Sequence, residues 1–309
     1  WYEKAADAGD TDAMRSLAAM YSDGDGVARD GERAEYWYEK AADAGDTDAM
    51  RSLAAMYSYG DGIARDDERA KYWYEKLADA GDIIAMFSLA TMYSGGSGIA
   101  RDGERAEYWF KKAADAGDTD AMCSLAARYR DGSGVARDSE RAEYWYKKAA
   151  DAGNTDAMCS LAKMYRDGDG VAPDGILALE WYEKAANAGD KYGIDKYAMC
   201  SLAAMYRYGD GVAADGILAL EWYEKAANAG DSYAMNELGD MYRNGEEIPQ
   251  DYKYAMKWYL RAAENGYSES MQKLDEMYIK GEGVAVDYGQ LREWFQKAAD
   301  AGNLYVIEK

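Results

Sequence analysis

Four arginines at one repeated position, Arg130, Arg166, Arg207 and Arg243, are the residues best placed to do chemistry in this 309-residue chain. They stand out against a net charge of −22. A guanidinium offers a planar fork to carboxylates and stacks on aromatic rings, so such a row could grip an extended acidic peptide or a C-terminal carboxylate. Tyr197, Tyr208 and Tyr233 fall at neighbouring variable positions and would add aromatic anchors. Upstream, Ile84, Phe87 and Tyr59 occupy the equivalent positions and form a more apolar second zone, while Arg15 and Arg51 share the column of Phe87. The simpler alternative for the arginine row is local pairing with Asp131, Asp167 or Asp169, worth about 0–1 kcal/mol per surface pair.

Other reactive constellations each fail at a definite residue. The chain contains no histidine, which excludes the hydrolytic triads built on it and ordinary His-ligated metal sites. The loops Asp23-Gly24-Asp25-Gly26 and Asp167-Gly168-Asp169-Gly170 begin like a calcium-binding loop. They then offer Val27 or Val171 at the fifth position, and Ala34 or Ala178 at the twelfth, where a bidentate Glu is required. Gly96 with Gly98 and Gly132 with Gly134 repeat the same glycine pair, as a tight helix-to-helix turn demands. No Gly-Lys-Ser/Thr follows, so the loops are not phosphate loops. Carboxylates recur in every unit rather than in one constellation, which reads as a solvated face instead of a general acid and base. No metal or cofactor is expected.

Cys123, Cys159 and Cys200 occupy one position in successive units. Equivalent atoms of stacked helix pairs lie roughly 10 Å apart, beyond the ~7 Å reach of a disulfide between Cα atoms. Free thiols are expected, and they fit a reducing compartment better than an oxidising one. A pI near 4.4 argues against nucleic acid or an anionic membrane surface as partner. No apolar run approaches the 18 or more residues of a membrane span.

The elements that must position these side chains follow from one period. The nine tryptophans, Trp1, Trp37, Trp73, Trp109, Trp145, Trp181, Trp222, Trp258 and Trp294, are 36 residues apart except for an interval of 41 after Trp181. The five extra residues lie near 191–195. Such a period marks a repeat array. Within one unit, Ala13, Met14, Leu17, Ala18 and Tyr21 form one helical stripe over about Thr11 to Ser22. Ala34, Trp37, Tyr38, Ala41 and Ala42 form another over about Asp30 to Ala44. Asp10 or Thr11 and Asp30 suit N-caps, and Gly24 and Gly45 suit left-handed helix ends. The tryptophans read as core that a lone pair could not bury. The chain is expected to be one array over 1–309: a partial second helix over 1–9, eight helix pairs over 10–302, and a partial repeat over 303–309. Because it opens inside a second helix, a longer parent protein is expected. Near-identity of the first five units suggests recent duplication or consensus-like engineering, whereas the insertion and the diverged units after Gly239 favour a natural origin.

The residues Ala13, Leu17, Met20-Tyr21, Gly24-x-Gly26-Val27, Asp30, Ala34, Trp37-Tyr38, Lys40-Ala41-Ala42 and Gly45 resemble the Sel-1-like repeat, a relative of the tetratricopeptide repeat. The resemblance covers almost the whole chain. It implies an all-α, right-handed superhelical solenoid whose first helices line a concave face through the positions of residues 12, 15, 19, 22 and 23. It also implies a non-enzymatic scaffold or adaptor holding a protein or extended peptide in that groove. One bacterial branch of the family carries two cysteines seven apart in each unit and is linked to β-lactam binding and hydrolysis. Here each unit has at most one cysteine, so the resemblance does not extend to that activity. The alternatives to the scaffold are a β-lactam-binding or β-lactam-hydrolysing enzyme of that branch, against which the missing cysteine pairs speak, and a structural spacer array.

Overall fold

In the computed structural model the described residues are 1–96, 98–188, 195–245 and 248–283; the insertion near 191–195 apart from Asp195, Trp294 and the partial repeat 303–309 lie outside them. The described residues form sixteen α-helices and no strand. The chain divides into two compact units, Trp1–Ala149 and Ala150–Lys309. The first unit holds α1 (Tyr2–Asp7), α2 (Thr11–Asp23), α3 (Gly31–Asp43), α4 (Thr47–Tyr59), α5 (Asp67–Asp79), α6 (Ile83–Gly95), α7 (Gly103–Asp115), α8 (Thr119–Asp131) and most of α9 (Ser139–Asp151). The second holds α10 (Thr155–Asp167), α11 (Gly175–Ala188), α12 (Lys196–Tyr208), α13 (Gly216–Asn228), α14 (Ser232–Asn244), α15 (Tyr252–Glu264) and α16 (Ser268–Lys280). Within each unit, consecutive helices pack into pairs and each pair packs on the next. The expected repeat of helix pairs is thus observed.

Local chemistry explains why the helices recur so regularly. Asp10 rather than Thr11 caps α2, its carboxylate accepting from the Ala13 amide at 2.9 Å. Asp30 does the same for the Arg33 amide at 3.0 Å, so α3 begins one residue later than the stripe suggests. Each such cap contributes about 1 kcal/mol. Gly24 ends α2 at φ +78°, a left-handed conformation that costs other residues about 1–2 kcal/mol. Glycine also lets neighbouring pairs touch. A Cβ on Gly175 would stand 2.1 Å from the Gly211 carbonyl oxygen, so the start of α11 lies against the loop after α12.

The α2 stripe is buried at every expected position. The tryptophans follow a gradient instead of forming a uniform core. Trp73, Trp109, Trp145, Trp181, Trp222 and Trp258 are buried, Trp37 is half-buried and Trp1 is fully exposed. Trp1 stands at the N-cap of α1 rather than on a helical stripe, and nothing packs over it.

Candidate functional site

Arg15 and Arg51 reach from one first helix to the N-terminal turn of the next first helix, α2 to α4 and α4 to α6. Arg15 donates from Nη1 to Asp48 Oδ2 at 2.6 Å and from Nη2 to Asp12 Oδ1 at 2.9 Å. Arg51 donates to Asp48 at 2.7 Å and to Asp82, the N-cap of α6, at 2.6 Å. In the second unit the same column carries Cys159, whose thiol donates to the α12 cap Asp195 at 3.2 Å. Asn236 continues it, accepting from Ser270 Oγ at 2.8 Å. Arg51 and Cys159 thus tie the caps Asp82 and Asp195 to the preceding first helix, and both terminal nitrogens of Arg15 and of Arg51 are engaged within the chain, while Arg51 Nε has no partner.

No disulfide joins any of the three cysteines. Burial pushes the Cys159 and Cys200 thiols up, and the facing carboxylates of Asp195 and Asp231 push them further. A raised pKa leaves little thiolate near pH 8. Both should react with an aromatic disulfide reagent at less than about a tenth of the rate of free cysteine, and equal rates would contradict this placement.

The four arginines of the row find acidic partners, but not in one way. In the first unit Arg130 Nε reaches Asp131 Oδ1 at 2.8 Å, holding that carboxyl below its ordinary range, and its guanidinium lies 6.0 Å from the Tyr146 ring centroid. In the second unit Arg166 Nε reaches Asp167 Oδ1 at 2.7 Å, with Asp210 at 3.8 Å. Both therefore hold a local ion pair with the aspartate that follows them. Arg207 instead crosses to α14, where Nη1 meets Glu237 Oε2 at 2.5 Å with both side chains about nine-tenths buried. Arg243 crosses to Glu276 at 3.2 Å and Glu282 at 2.8 Å. The partner Glu237 stands where six earlier units carry serine, from Ser16 to Ser201, and that break in the pattern was the available signal.

The tyrosines beside the second-unit arginines are surface groups. Tyr197 is 55% exposed, Tyr208 65% and Tyr233 42%. Under Tyr197 lies Tyr182 of α11, the two rings edge to face with centroids 6.4 Å apart. Tyr223 of α13 is close enough to Tyr233 of α14, Arg207 and Glu237 to feel their charges. The Tyr182 and Tyr223 hydroxyls are fully buried and lack a hydrogen-bond partner; the Ser201 and Tyr233 hydroxyls lie close without completing a bond of good geometry. Burial pushes both phenols up, and Tyr233 is pushed up to about 12 by burial and the Glu237 charge. In the first unit, Ile84 and Tyr59 are exposed, while Phe87 is half-buried and packs edge to face on Phe110 at 5.6 Å.

Two features escaped the sequence reading. Arg128 of α8 replaces a methionine found in the other units and is buried. It donates to Ser94 Oγ at 2.8 Å and to the Gly103 carbonyl at 3.1 Å, while its Nε is unpaired. No carboxylate among the described residues lies within ion-pair distance of it, and burial lowers its pKa. Arg128→Met should raise stability by about 1–2 kcal/mol, as an upward shift of the urea midpoint; a downward shift would contradict this. The second feature is a change from Gly-Glu-Arg-Ala-Glu-Tyr-Trp to Gly-Ile-Leu-Ala-Leu-Glu-Trp at the starts of α11 and α13. It leaves Ile176 and Ile217 68% and 66% exposed at the starts of two second helices. Among the described residues there is no cluster suited to a metal ion, and no helix is long and apolar enough to cross a membrane.

Comparison with known proteins agrees with this architecture. The family profile described as Sel1 repeat matches nine segments: 1–10, 11–46, 47–82, 83–118, 119–154, 155–190, 196–231, 232–267 and 269–303. The chain is similar to a protective antigen of uropathogenic Escherichia coli strains, at 32% identity and a TM-score of 0.74, covering 99% of this chain and 64% of that one. It thus spans less than two thirds of that protein's length. It is also similar to a Sel1 repeat protein from Oxalobacter formigenes, at 30% identity and a TM-score of 0.75, covering 99% of this chain and 87% of that one. No curated protein sequence matches it significantly. With the repeat matched along nearly its whole length, the chain belongs to the Sel1 repeat family.

Proposed function

We propose that this chain is a non-catalytic scaffold that holds a peptide or protein partner on the first-helix face of α10, α12 and α14. The observation that carries the reading is a cassette repeated in tandem: an arginine of one first helix, a buried tyrosine of its paired second helix, and an exposed tyrosine of the next first helix. Arg166, Tyr182 and Tyr197 form one copy; Arg207, Tyr223 and Tyr233 form the other. Neighbouring pairs break the pattern, with Asp156 or Glu269 in place of the exposed tyrosine. Exposed tyrosines are effective anchors because they supply large contact area at little conformational cost.

Changing the arginines is a poor test, since Arg207→Glu would bury two carboxylates together. The surface tyrosines separate binding from folding. A chain carrying Tyr197→Ala, Tyr208→Ala and Tyr233→Ala should keep its thermal midpoint and lose the partner that the parent chain retains from lysate of the source cells. A control with Tyr36→Ala, Tyr72→Ala and Tyr108→Ala, at exposed second-helix positions, should retain it. Equal capture by the first variant and the parent would refute the assignment of this face.

A further inference from the structure

The two cassettes share a chemical bias. Their arginines are already neutralised, Arg166 by Asp167 and Arg207 by Glu237. What remains to spare are hydrogen-bond donors: the buried hydroxyls of Tyr182 and Tyr223, and the guanidinium N–H groups not used in those pairs. Tyr182 packs edge to face against the partly exposed ring of Tyr197, and Tyr223 is close to the partly exposed Tyr233. Such a site calls for a ligand with acceptors to offer, few donors of its own, and flat apolar surface to lay against phenol rings.

Spacing adds a second constraint. Equivalent points on packed neighbouring helices lie roughly 8–10 Å apart. A polyproline II helix turns once in three residues at about 3.1 Å per residue, so it presents the same face every ~9 Å. Prolyl residues carry a carbonyl but no amide hydrogen, and their segments enter the bound shape with little entropy left to lose. We propose, on the reading that this face is the partner site, that the tandem cassettes bind a proline-rich segment in the polyproline II conformation, one backbone carbonyl to each buried tyrosine hydroxyl. Tyr197 and Tyr233 turn aside on their two side-chain torsions and flank the prolyl rings. An acidic segment fits less well, because both arginines are spent and the whole chain carries −22.

The test is calorimetric titration of the full chain with three ten-residue peptides: decaproline, a Gly/Ser sequence, and a sequence with Glu at every third position. Decaproline should bind saturably and the other two should not. Tyr182→Phe and Tyr223→Phe remove only the hydroxyl, a change the fold already accommodates at Phe110 in the same column. Each should raise the decaproline Kd about fivefold, the loss of one net hydrogen bond. Unchanged affinity in both variants would overturn the proposal, as would no binding of decaproline. Saturable binding of the acidic peptide, abolished by Tyr197→Ala with Tyr233→Ala, would overturn the proline assignment and leave the face itself standing. Partner capture lost in the triple tyrosine variant, with no decaproline binding, would do the same.

Discussion

Arg207→Leu is expected to destabilise the second unit by about 3–5 kcal/mol near neutral pH, because it leaves Glu237 buried without its cation. The pair is 8% and 10% exposed at its two side chains, and the Arg207 guanidinium also lies 5.2 Å from the Tyr208 ring centroid. Burial raises the Glu237 carboxyl pKa, while Arg207 opposes the rise and Asp240 adds to it. Removing the arginine therefore pushes the carboxyl further up. A group with a raised folded pKa holds more protons folded than unfolded, so its burden grows as pH rises and fades as pH falls. The deficit of Arg207→Leu should accordingly shrink between pH 7 and about pH 5. Arg207→Leu combined with Glu237→Leu should return to within about 1.5 kcal/mol of the parent, since apolar replacement of a buried pair is often neutral. Urea unfolding of the parent, the two single variants and the double variant measures this. A single-variant loss below about 1 kcal/mol would show the pair to be solvent-screened.

Trp222→Ala should cost about 3–5 kcal/mol, the range for truncating a buried large aromatic side chain. The ring is 8% exposed and carries the Lys225 ammonium 3.7 Å from its centroid. In a repeat array each pair leans on its neighbours, so the lost packing should also loosen the adjoining pairs. The gradient of burial supplies its own controls. Trp37→Ala, at a half-buried ring, should cost less, and Trp1→Ala, at a fully exposed one, should change stability by less than about 0.5 kcal/mol. Equal costs at all three positions would contradict the placement of these rings. Amide exchange in α12 and α14 gives the second readout, and unchanged protection there would contradict the coupling between pairs.

The helix pairs were legible in the primary structure because their causes are local. The stripe of Ala13, Met14, Leu17, Ala18 and Tyr21 needs only helical periodicity, and all five are buried. Caps such as Asp10 and Asp30 act over three residues. The pairing of the arginine row was harder, because partners are set by how one pair stacks on the next. Arg130 and Arg166 meet an adjacent aspartate, which the sequence places in reach. Arg207 meets Glu237 thirty residues away, and only the break in the serine column hinted at it. Arg15 and Arg51 lie in a column that variation alone made look free. Their reach to Asp48 and Asp82 depends on the register between first helices, which no single unit reveals. The exposed Ile176 and Ile217 had a plain signal in the Glu-Arg to Ile-Leu change, masked by the constancy of the tryptophan that follows.

Hydrogen exchange on the captured complex tests the central claim most directly. With partner bound, the account predicts added protection in α10, α12 and α14, strongest near Tyr197 and Tyr233, and none at the starts of α11 and α13. Protection confined to the segments around Ile176 and Ile217, with the tyrosine face unchanged, would place the partner on the opposite chemistry and contradict the account.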